Sequence, residues 1–510
     1  MNDISSDREG LGRRSITAML WGTGGSALRI LLQVASQIVL ARLLGPELYG
    51  VFAVALVVVL LSSLFADVGL AYGLIQKRTV SDDDIRFVST WQIVMGLVMT
   101  LIVIAVTPWV TRAYHEPRLY AALMCLSLGC LINATAATSG ALLKRNLDFK
   151  TLNLAGVVSY TIGFFVVGIP MAWAGAGVMS LVAAYLTQAA VLGVLQYLKV
   201  RHPVRPLFWQ AGAPAMLDFG GTVLATNLLN WAMNGIDRAI VGSWLSLSAA
   251  GLYATAYNLI NTPLMTLLAL LQSVFYSASS KIQDDKPQLR RGLAALFGAV
   301  AMFIAPVFAG IAASGETIIL AFYGTQWAGG GAVLTPLALA MPAYLVMALA
   351  VPVLWASGAT RKEFLLQLPI ALVWVVVLWM VAQTGSLAAL SWSVFTLFCV
   401  RAIVLVGATM RQIAMPPRTV VAACKPGLAI MVLVGATALV ADRTFITWFT
   451  YPQPQLHLAF DIAACAIAML AGLRLFGSWV AHDLRHLLQQ LAGRIPGGHG
   501  TRLLKLMTGV

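Results

Sequence analysis

Charge is what this chain has least of. Only 10% of its 510 residues are charged, and 19 are acidic, whereas a soluble domain carries about 25% charged residues. That shortage excludes a water-soluble globule. Cysteine is sparse too. The five cysteines are Cys125, Cys130, Cys399, Cys424 and Cys465, and the closest pair is five positions apart. That spacing matches no zinc or redox motif, so they read as buried and inert. Long hydrophilic stretches are missing, which leaves no room for a large extramembrane domain. GTGG at 22–25 lies inside an apolar run and no GK[ST] follows it, so it is a packing or hinge element and not a phosphate loop. No Walker motif and no Ser/His/Asp constellation is visible, so neither an ATP motor nor a hydrolase is expected. The first apolar run is too long for a cleavable leader, contains Arg29 and lacks a small-x-small site, so it is expected to stay as a membrane helix.

What the chain does have is apolar length. Hydrophobic residues make up 60% of it, and its apolar runs exceed 18 residues without period-two alternation, so the spans are helices and not barrel strands. The expected fold is all-α, a polytopic membrane protein of about 14 helices. They run about 16–43, 50–75, 87–109, 119–142, 151–171 and 177–198 in the first lobe. The second lobe holds about 216–243, 250–276, 292–313, 332–356, 364–382 and 387–410, and two further helices follow at 420–440 and 457–476. The expected organisation is a six-helix lobe over 1–205, a second over 206–415, helices 13 and 14 within 416–477, and a tail over 478–510. Within the tail, Trp479, Leu484, Leu487, Leu488 and Leu491 share one side, as in a helix lying on the cytoplasmic surface. His482 and His486 have the spacing of a helical metal pair but no third ligand nearby, so they read as a solvated face. No metal site and no cofactor are expected.

The net charge of +14 is explained by placement. With the N-terminus inside, 26 of the 33 Lys and Arg fall in cytoplasmic segments and 3 (Arg112, Arg118, Arg443) outside. This bias obeys the positive-inside rule and puts both termini in the cytoplasm. The basic excess therefore sets orientation and attracts anionic lipid; nucleic acid is not a partner.

Seven charged residues lie inside the apolar spans or near their ends: Arg29, Arg42, Asp67, Asp218, Asp237, Arg238 and Arg401. The sharpest is Arg29, in mid-span. Ser26, Arg29, Gln33 and Ser36 step by three and four and share one helical face. Asn227, Asn230, Asn234 and Asp237 repeat those positions at an offset of 201, and GVFAVAL at 50–56 aligns with GLYATAY at 251–257 at the same offset. This is an internal repeat, and a polar stripe in an apolar span should line a wet cavity. Arg29 is thus a candidate for ligand or gating contact, the other reading being a pair with a buried carboxylate. Asp67 is either a gating or ion-coupling group or a helix-end residue paired with Lys77 or Arg78. Asp218 is either functional or an N-terminal cap. Asp237 and Arg238 point in different directions, and each needs a partner, from helix 1 or 8. Arg42 can snorkel to headgroups or act in gating. Arg401 is a structural pair or a functional charge. Tyr253, Tyr257 and Asn261 step by four along helix 8 and form a cavity wall or ordinary packing.

IVLARLLGPELYGVFAVAL at 38–56, FADVGLAYGLIQ at 65–76 and NGIDRAIVGSWLSLSAAGLYATAYNLI at 234–260 resemble bacterial polysaccharide-export flippases. These are Wzx-type members of the multidrug/oligosaccharidyl-lipid/polysaccharide exporter superfamily. The resemblance implies two six-helix lobes around a cavity lined by helices 1, 2, 7 and 8. It implies movement of an undecaprenyl-diphosphate-linked oligosaccharide across the inner membrane by alternating access of the lobes. As partners it implies the polysaccharide polymerase and the chain-length or export proteins. One departure is Ser243 in the place that Arg42 holds in the first repeat, so no two-fold arginine pair exists. Two other readings stay open: a cation-coupled drug or metabolite antiporter of the same superfamily, and a membrane enzyme or assembly subunit of polysaccharide synthesis.

Overall fold

A computed structural model of the chain describes residues 3–479, except 68, 78, 282–284, 358 and 449–452. The side chains of Ser26, Asp67 and Asn234, and the tail proposed as a surface helix from residue 480 on, with His482 and His486, lie outside the described set. Regular structure is helical throughout, and no strand occurs among the described residues.

The chain divides into two compact units, residues 1–254 and 255–510. The first holds α1 (Asp3–Asp67), α2 (Leu70–Gln76), α3 (Asp82–Tyr114), α4 (Pro117–Arg145), α5 (Phe149–Trp173), α6 (Val178–Val200) and α7 (Ala213–Trp244). α8 (Leu247–Lys281) begins in the first unit and continues into the second. The second unit contains α9 (Lys286–Ala313), α10 (Gly315–Tyr323), α11 (Gly331–Ala356), α12 (Thr360–Ala382), α13 (Leu387–Gln412), α14 (Pro417–Trp448) and α15 (Pro454–Phe476). α5 and α9 each contain a π-helical stretch, at Thr161–Gly168 and Val300–Ile304. Eleven of the described helices are long and apolar enough to cross a membrane. One of them, α1, has two arms, and α7 and α8, with 32 and 35 residues, have the length to cross as well. Together they agree with the fourteen spans expected.

The first unit shows why the L-G-P turn bends the chain. Gly45 has φ 74° and ψ 173°, a conformation that side-chain-bearing residues rarely adopt. Pro46 follows, opening the second arm at a position where its missing N–H leaves nothing unsatisfied. The second arm then meets the start of α8. A Cβ on Gly50 would lie 1.7 Å from the carbonyl oxygen of Leu247, and one on Gly251 would lie 1.9 Å from that of Pro46. Gly50 and Gly251 are 201 apart, and so are Pro46 and Leu247. The contact is therefore reciprocal: each repeat presents a glycine to the other's helix start. The two segments, both in the first unit, exchange roles at the offset read from the sequence.

The helix expected over 50–75 is broken in two. α2 starts after Gly69, whose φ is 66°. A Cβ there would come within 2.6 Å of the Gly220 carbonyl oxygen on α7, so close backbone packing accompanies the break. Beyond α2, Lys77 Nζ lies 2.6 Å from both carboxylate oxygens of buried Asp84. Gln210 Nε2 donates to the same carboxylate at 2.7 Å, and so does the Ser81 N–H at 2.9 Å. This network ties the start of α3 to the segment leading into α7. In the second unit, Ala295 and Met302 of α9 pack with Ile430 and Val434 of α14 and with Ala468 and Leu473 of α15 in one apolar cluster. α10 packs on both α11 and α15.

Candidate functional site

The stripe on α1 faces α5. Gly25 packs against the Asn153 side chain, and the Arg29 guanidinium covers Gly156, where a Cβ would sit 3.3 Å from Nη1. A side chain at 156 would press on the guanidinium, which would have to shift by a few tenths of an ångström. About two turns further on, Ser36 is fully buried and its hydroxyl lies 2.5 Å from the Tyr160 hydroxyl. Ser36 also donates to the Gln33 carbonyl at 3.1 Å, so its oxygen is free to accept from Tyr160. Tyr160 itself stacks on Phe164, with ring centres 4.5 Å apart. Gln33 and Arg29 are half-buried. The Arg29 Nε is buried without a hydrogen-bond partner, and no ion pair to Arg29 forms among the described residues. The structural alternative for Arg29, a pair with a buried carboxylate, has no support in these contacts.

The second stripe has different chemistry at equivalent places. Asn227 and Asn230 are half-buried on α7. Asp237, the mate of Ser36, is 3% exposed. Its Oδ2 accepts from the Tyr253 hydroxyl at 2.5 Å and its Oδ1 from the Arg238 backbone N–H at 2.9 Å. The partner anticipated from helix 8 is thus Tyr253. Arg238 does not diverge from its neighbour as adjacent helical residues are expected to, since its Nε lies 4.0 Å from Asp237 Oδ1. Each stripe therefore ends on a tyrosine hydroxyl, from α5 in one repeat and from α8 in the other.

The remaining candidates separate. Arg42 is exposed. Asp218 is also exposed and sits in the second turn of α7, so it is not the cap; Gly212 holds that position. Lys77, offered as a partner for Asp67, is engaged by Asp84. Tyr257 is buried, one turn beyond Tyr253. In the second unit buried Arg401 donates from Nη2 to Gln367 Oε1 at 2.5 Å, and Gln367 in turn donates to Glu363, so Arg401 belongs to a structural pairing. Sequence reasoning missed Tyr160 and Gly156. Both lie in an unremarkable apolar span, and only the packing of α1 on α5 picks them out.

These features define a class: a polytopic helical membrane protein built on an internal repeat, with a half-buried arginine and polar groups inside its spans. Residues 39–330 match the polysaccharide biosynthesis protein family, and the chain belongs to that family. Among curated relatives it is 24% identical over 324 residues to the lipopolysaccharide biosynthesis protein WzxC of Escherichia coli (strain K12), covering 62% of this chain and 65% of the relative. It is 24% identical over 350 residues to the succinoglycan biosynthesis transport protein ExoT of Rhizobium meliloti (strain 1021), covering 69% of each. The chain thus spans about two thirds of the length of these relatives. Among solved structures, the lipid II flippase MurJ in an inward closed conformation superposes with a TM-score of 0.72 at 13% identity, over 90% of this chain and 98% of that one. An inward-facing multidrug resistance MATE family transporter superposes with a TM-score of 0.60 at 15% identity, over 76% of this chain and 94% of that one. Both establish a shared fold.

Proposed function

We propose that the chain is a flippase that moves a lipid-diphosphate-linked oligosaccharide from the cytoplasmic to the outer leaflet of the bacterial inner membrane. It would serve the synthesis of an exopolysaccharide, capsule or O-antigen. The observation that carries this reading is Arg29: a half-buried cation inside a span, with an unpartnered Nε and no carboxylate paired to it among the described residues. A guanidinium left uncompensated in an apolar span is costly, and an anionic ligand is the group that would compensate it. Arginine suits a diphosphate because its planar fork makes paired, charge-assisted hydrogen bonds to phosphate oxygens. The half-buried amides of Gln33, Asn227 and Asn230 would face the sugar hydroxyls, and the lipid tail stays in the bilayer. Relatives support the substrate class, since ExoT is named as a succinoglycan biosynthesis transport protein and MurJ as a lipid II flippase. In this reading the two repeats work as alternating-access lobes, both termini are cytoplasmic, and no covalent chemistry is performed on the substrate.

Proteoliposomes test it. A lipid-linked oligosaccharide with a fluorescent sugar is placed in both leaflets, and an impermeant reductant reports the protected pool. Protein-dependent loss of that pool is expected. Arg29→Ala should weaken substrate binding by about 1.5–3 kcal/mol, roughly ten- to hundredfold, and Arg29→Lys should retain part of the activity. An intact protected pool with folded protein, even under an imposed pH gradient, would turn the reading to antiport of a soluble substrate. Full activity in Arg29→Ala would remove the diphosphate role alone.

A further inference from the structure

A second cluster of ionisable groups lies far along the chain from Arg29, where the end of α14, the start of α15 and α10 meet. Asp442 on α14 and His457 and Asp461 on α15 present donor atoms that all lie within 4.8 Å of one another. His457 Nε2 is 3.2 Å from Asp442 Oδ1 and 3.8 Å from Asp461 Oδ1. Neither approach is a hydrogen bond: His457 Nε2 and both Asp461 carboxylate oxygens are buried without hydrogen-bond partners. Asp461 is 1% exposed and His457 is 5% exposed. The Ser314 hydroxyl faces Asp461 without reaching hydrogen-bond geometry.

The surrounding bonds fix the imidazole. The Thr317 hydroxyl on α10 donates to Asp442 Oδ1 at 2.8 Å and lies 3.5 Å from His457 Nδ1. Its one proton is used on Asp442, so toward the ring it can only accept. The proton of a neutral imidazole is thereby assigned to Nδ1. Nε2 then turns a lone pair toward two carboxylates, three electron-rich donors converging on one point. Phe445 stacks on the other face of the ring at 4.5 Å and 7°, holding its direction. A buried and a part-exposed carboxylate facing a lone pair repel it unless a cation stands between them.

We propose that Asp442, His457 and Asp461 bind one divalent transition-metal cation of the zinc class, which clamps α14 to α15 beside α10. Donors roughly 2.1 Å from a tetrahedral zinc stand about 3.4 Å from one another, and the two nitrogen-to-oxygen distances here are 3.2 and 3.8 Å. An imidazole donor favours zinc or a neighbouring transition metal over magnesium or calcium, which take oxygen ligands. Thr317 plays the outer-shell part that orients a metal-bound histidine. Asp442, 24% exposed, gives the ion its path in, and the fourth corner is left to water. His457 and Asp461 are four apart on one helical face, but the third ligand comes from another helix, so the sequence reading expects no metal here.

The test uses full-length, tag-free protein in detergent, stripped with a chelator and then exposed to Zn²⁺ or Mn²⁺. Expected are one metal ion per chain after desalting and a rise of several degrees in unfolding temperature. Both should vanish in Asp461→Asn and in His457→Gln and persist in a His482→Ala/His486→Ala variant, which removes the tail pair. Metal content well below one per chain, or content unchanged by the two ligand substitutions, would overturn the proposal. So would an unfolding temperature that follows pH and ignores metal, which would assign the cluster to proton binding. Should the buried-ligand variants fail to fold, Asp442→Asn at the part-exposed ligand supplies the same comparison. The chelator-and-readdition cycle on unmodified protein must in any case show the stabilisation.

Discussion

The reciprocal glycine contact between the repeats makes a quantitative prediction. A methyl group on Gly50 would lie 1.7 Å from the Leu247 carbonyl oxygen, and one on Gly251 would lie 1.9 Å from that of Pro46, where ordinary contact begins at 3.4 Å. Either substitution must therefore separate the two backbones by about 1.5 Å or more, because the obstructing atoms are main-chain and cannot rotate away. Overpacking of this kind costs roughly 1–3 kcal/mol and occasionally more. Alanine's helix propensity returns at most about 1 kcal/mol. Gly50→Ala and Gly251→Ala are each expected to destabilise the protein by about 2 kcal/mol net of that gain. They should also couple. Once one methyl has spread the pair, the second meets less resistance, so the double variant should fall short of additivity by about 1 kcal/mol. Unfolding midpoints in mixed detergent measure all four corners of the cycle. Gly221→Ala and Gly407→Ala, where a Cβ meets nothing within 4 Å, are the controls and should be neutral or mildly stabilising. Glycine-to-alanine changes at 50 and 251 that behave like those controls would refute the reciprocal packing, and strict additivity would refute its being one shared contact.

Two further outcomes follow from the hydrogen bonds. Tyr253→Phe strips a charge-assisted bond from buried Asp237 and should cost about 1.5–3 kcal/mol, whereas Tyr160→Phe leaves Ser36 bonded to the Gln33 carbonyl and should cost about 1 kcal/mol. Equal losses in the same unfolding assay would show that the Asp237 charge is not what Tyr253 supports. His202, in the segment between α6 and α7, is buried, with Nε2 3.1 Å from the Ser139 hydroxyl, and burial lowers its pKa despite the Pro203 carbonyl beside it. A depressed imidazole pKa means that the unfolded chain takes up the proton first as pH falls. Its contribution is therefore whole above about pH 6.5 and is lost as pH drops toward the folded-state value. Unfolding midpoints at pH 8 and pH 5 should converge in His202→Gln relative to the unmodified protein, and an unchanged pH slope would exclude His202 as the source.

Local rules made much of the fold legible. Gly45 and Pro46 announce the bend in α1 because each has a backbone preference that no neighbour overrides. The 201-residue offset was readable because it joins a polar stripe to a glycine motif, and Gly50 and Gly251 then turn out to touch. What local rules do not carry is which helix a face meets. The α1 stripe reads as cavity lining, yet Ser36 is buried on Tyr160, a residue 124 positions away. Asp218 reads as a cap only if α7 begins late; the helix starts at Ala213 and leaves it exposed in the second turn. The break at Gly69 depends on α7 lying close by, and the Asp442, His457 and Asp461 cluster depends on two helices and a third that orients them. Each miss is a tertiary contact, not a propensity.

The repeat also bears on how the proposed site would work with one arginine. The two halves share backbone geometry at Gly50 and Gly251, but their stripes pair Arg29 with Asn230 and Ser36 with Asp237 at the same offset. Symmetric packing with asymmetric charge gives two segments of like shape, of which one carries a cation with no carboxylate paired to it among the described residues and the other a carboxylate already bonded to Tyr253. In the proposed flippase that one cation would meet the lipid diphosphate, with the half-buried amides of Gln33, Asn227 and Asn230 around it. A second arginine would deepen binding in the resting state, which slows release as much as it favours capture. If that asymmetry is what tunes turnover, Asn230→Arg should raise substrate affinity and lower the flipping rate in proteoliposomes. A faster rate in that variant would mean that binding, and not release, limits the cycle.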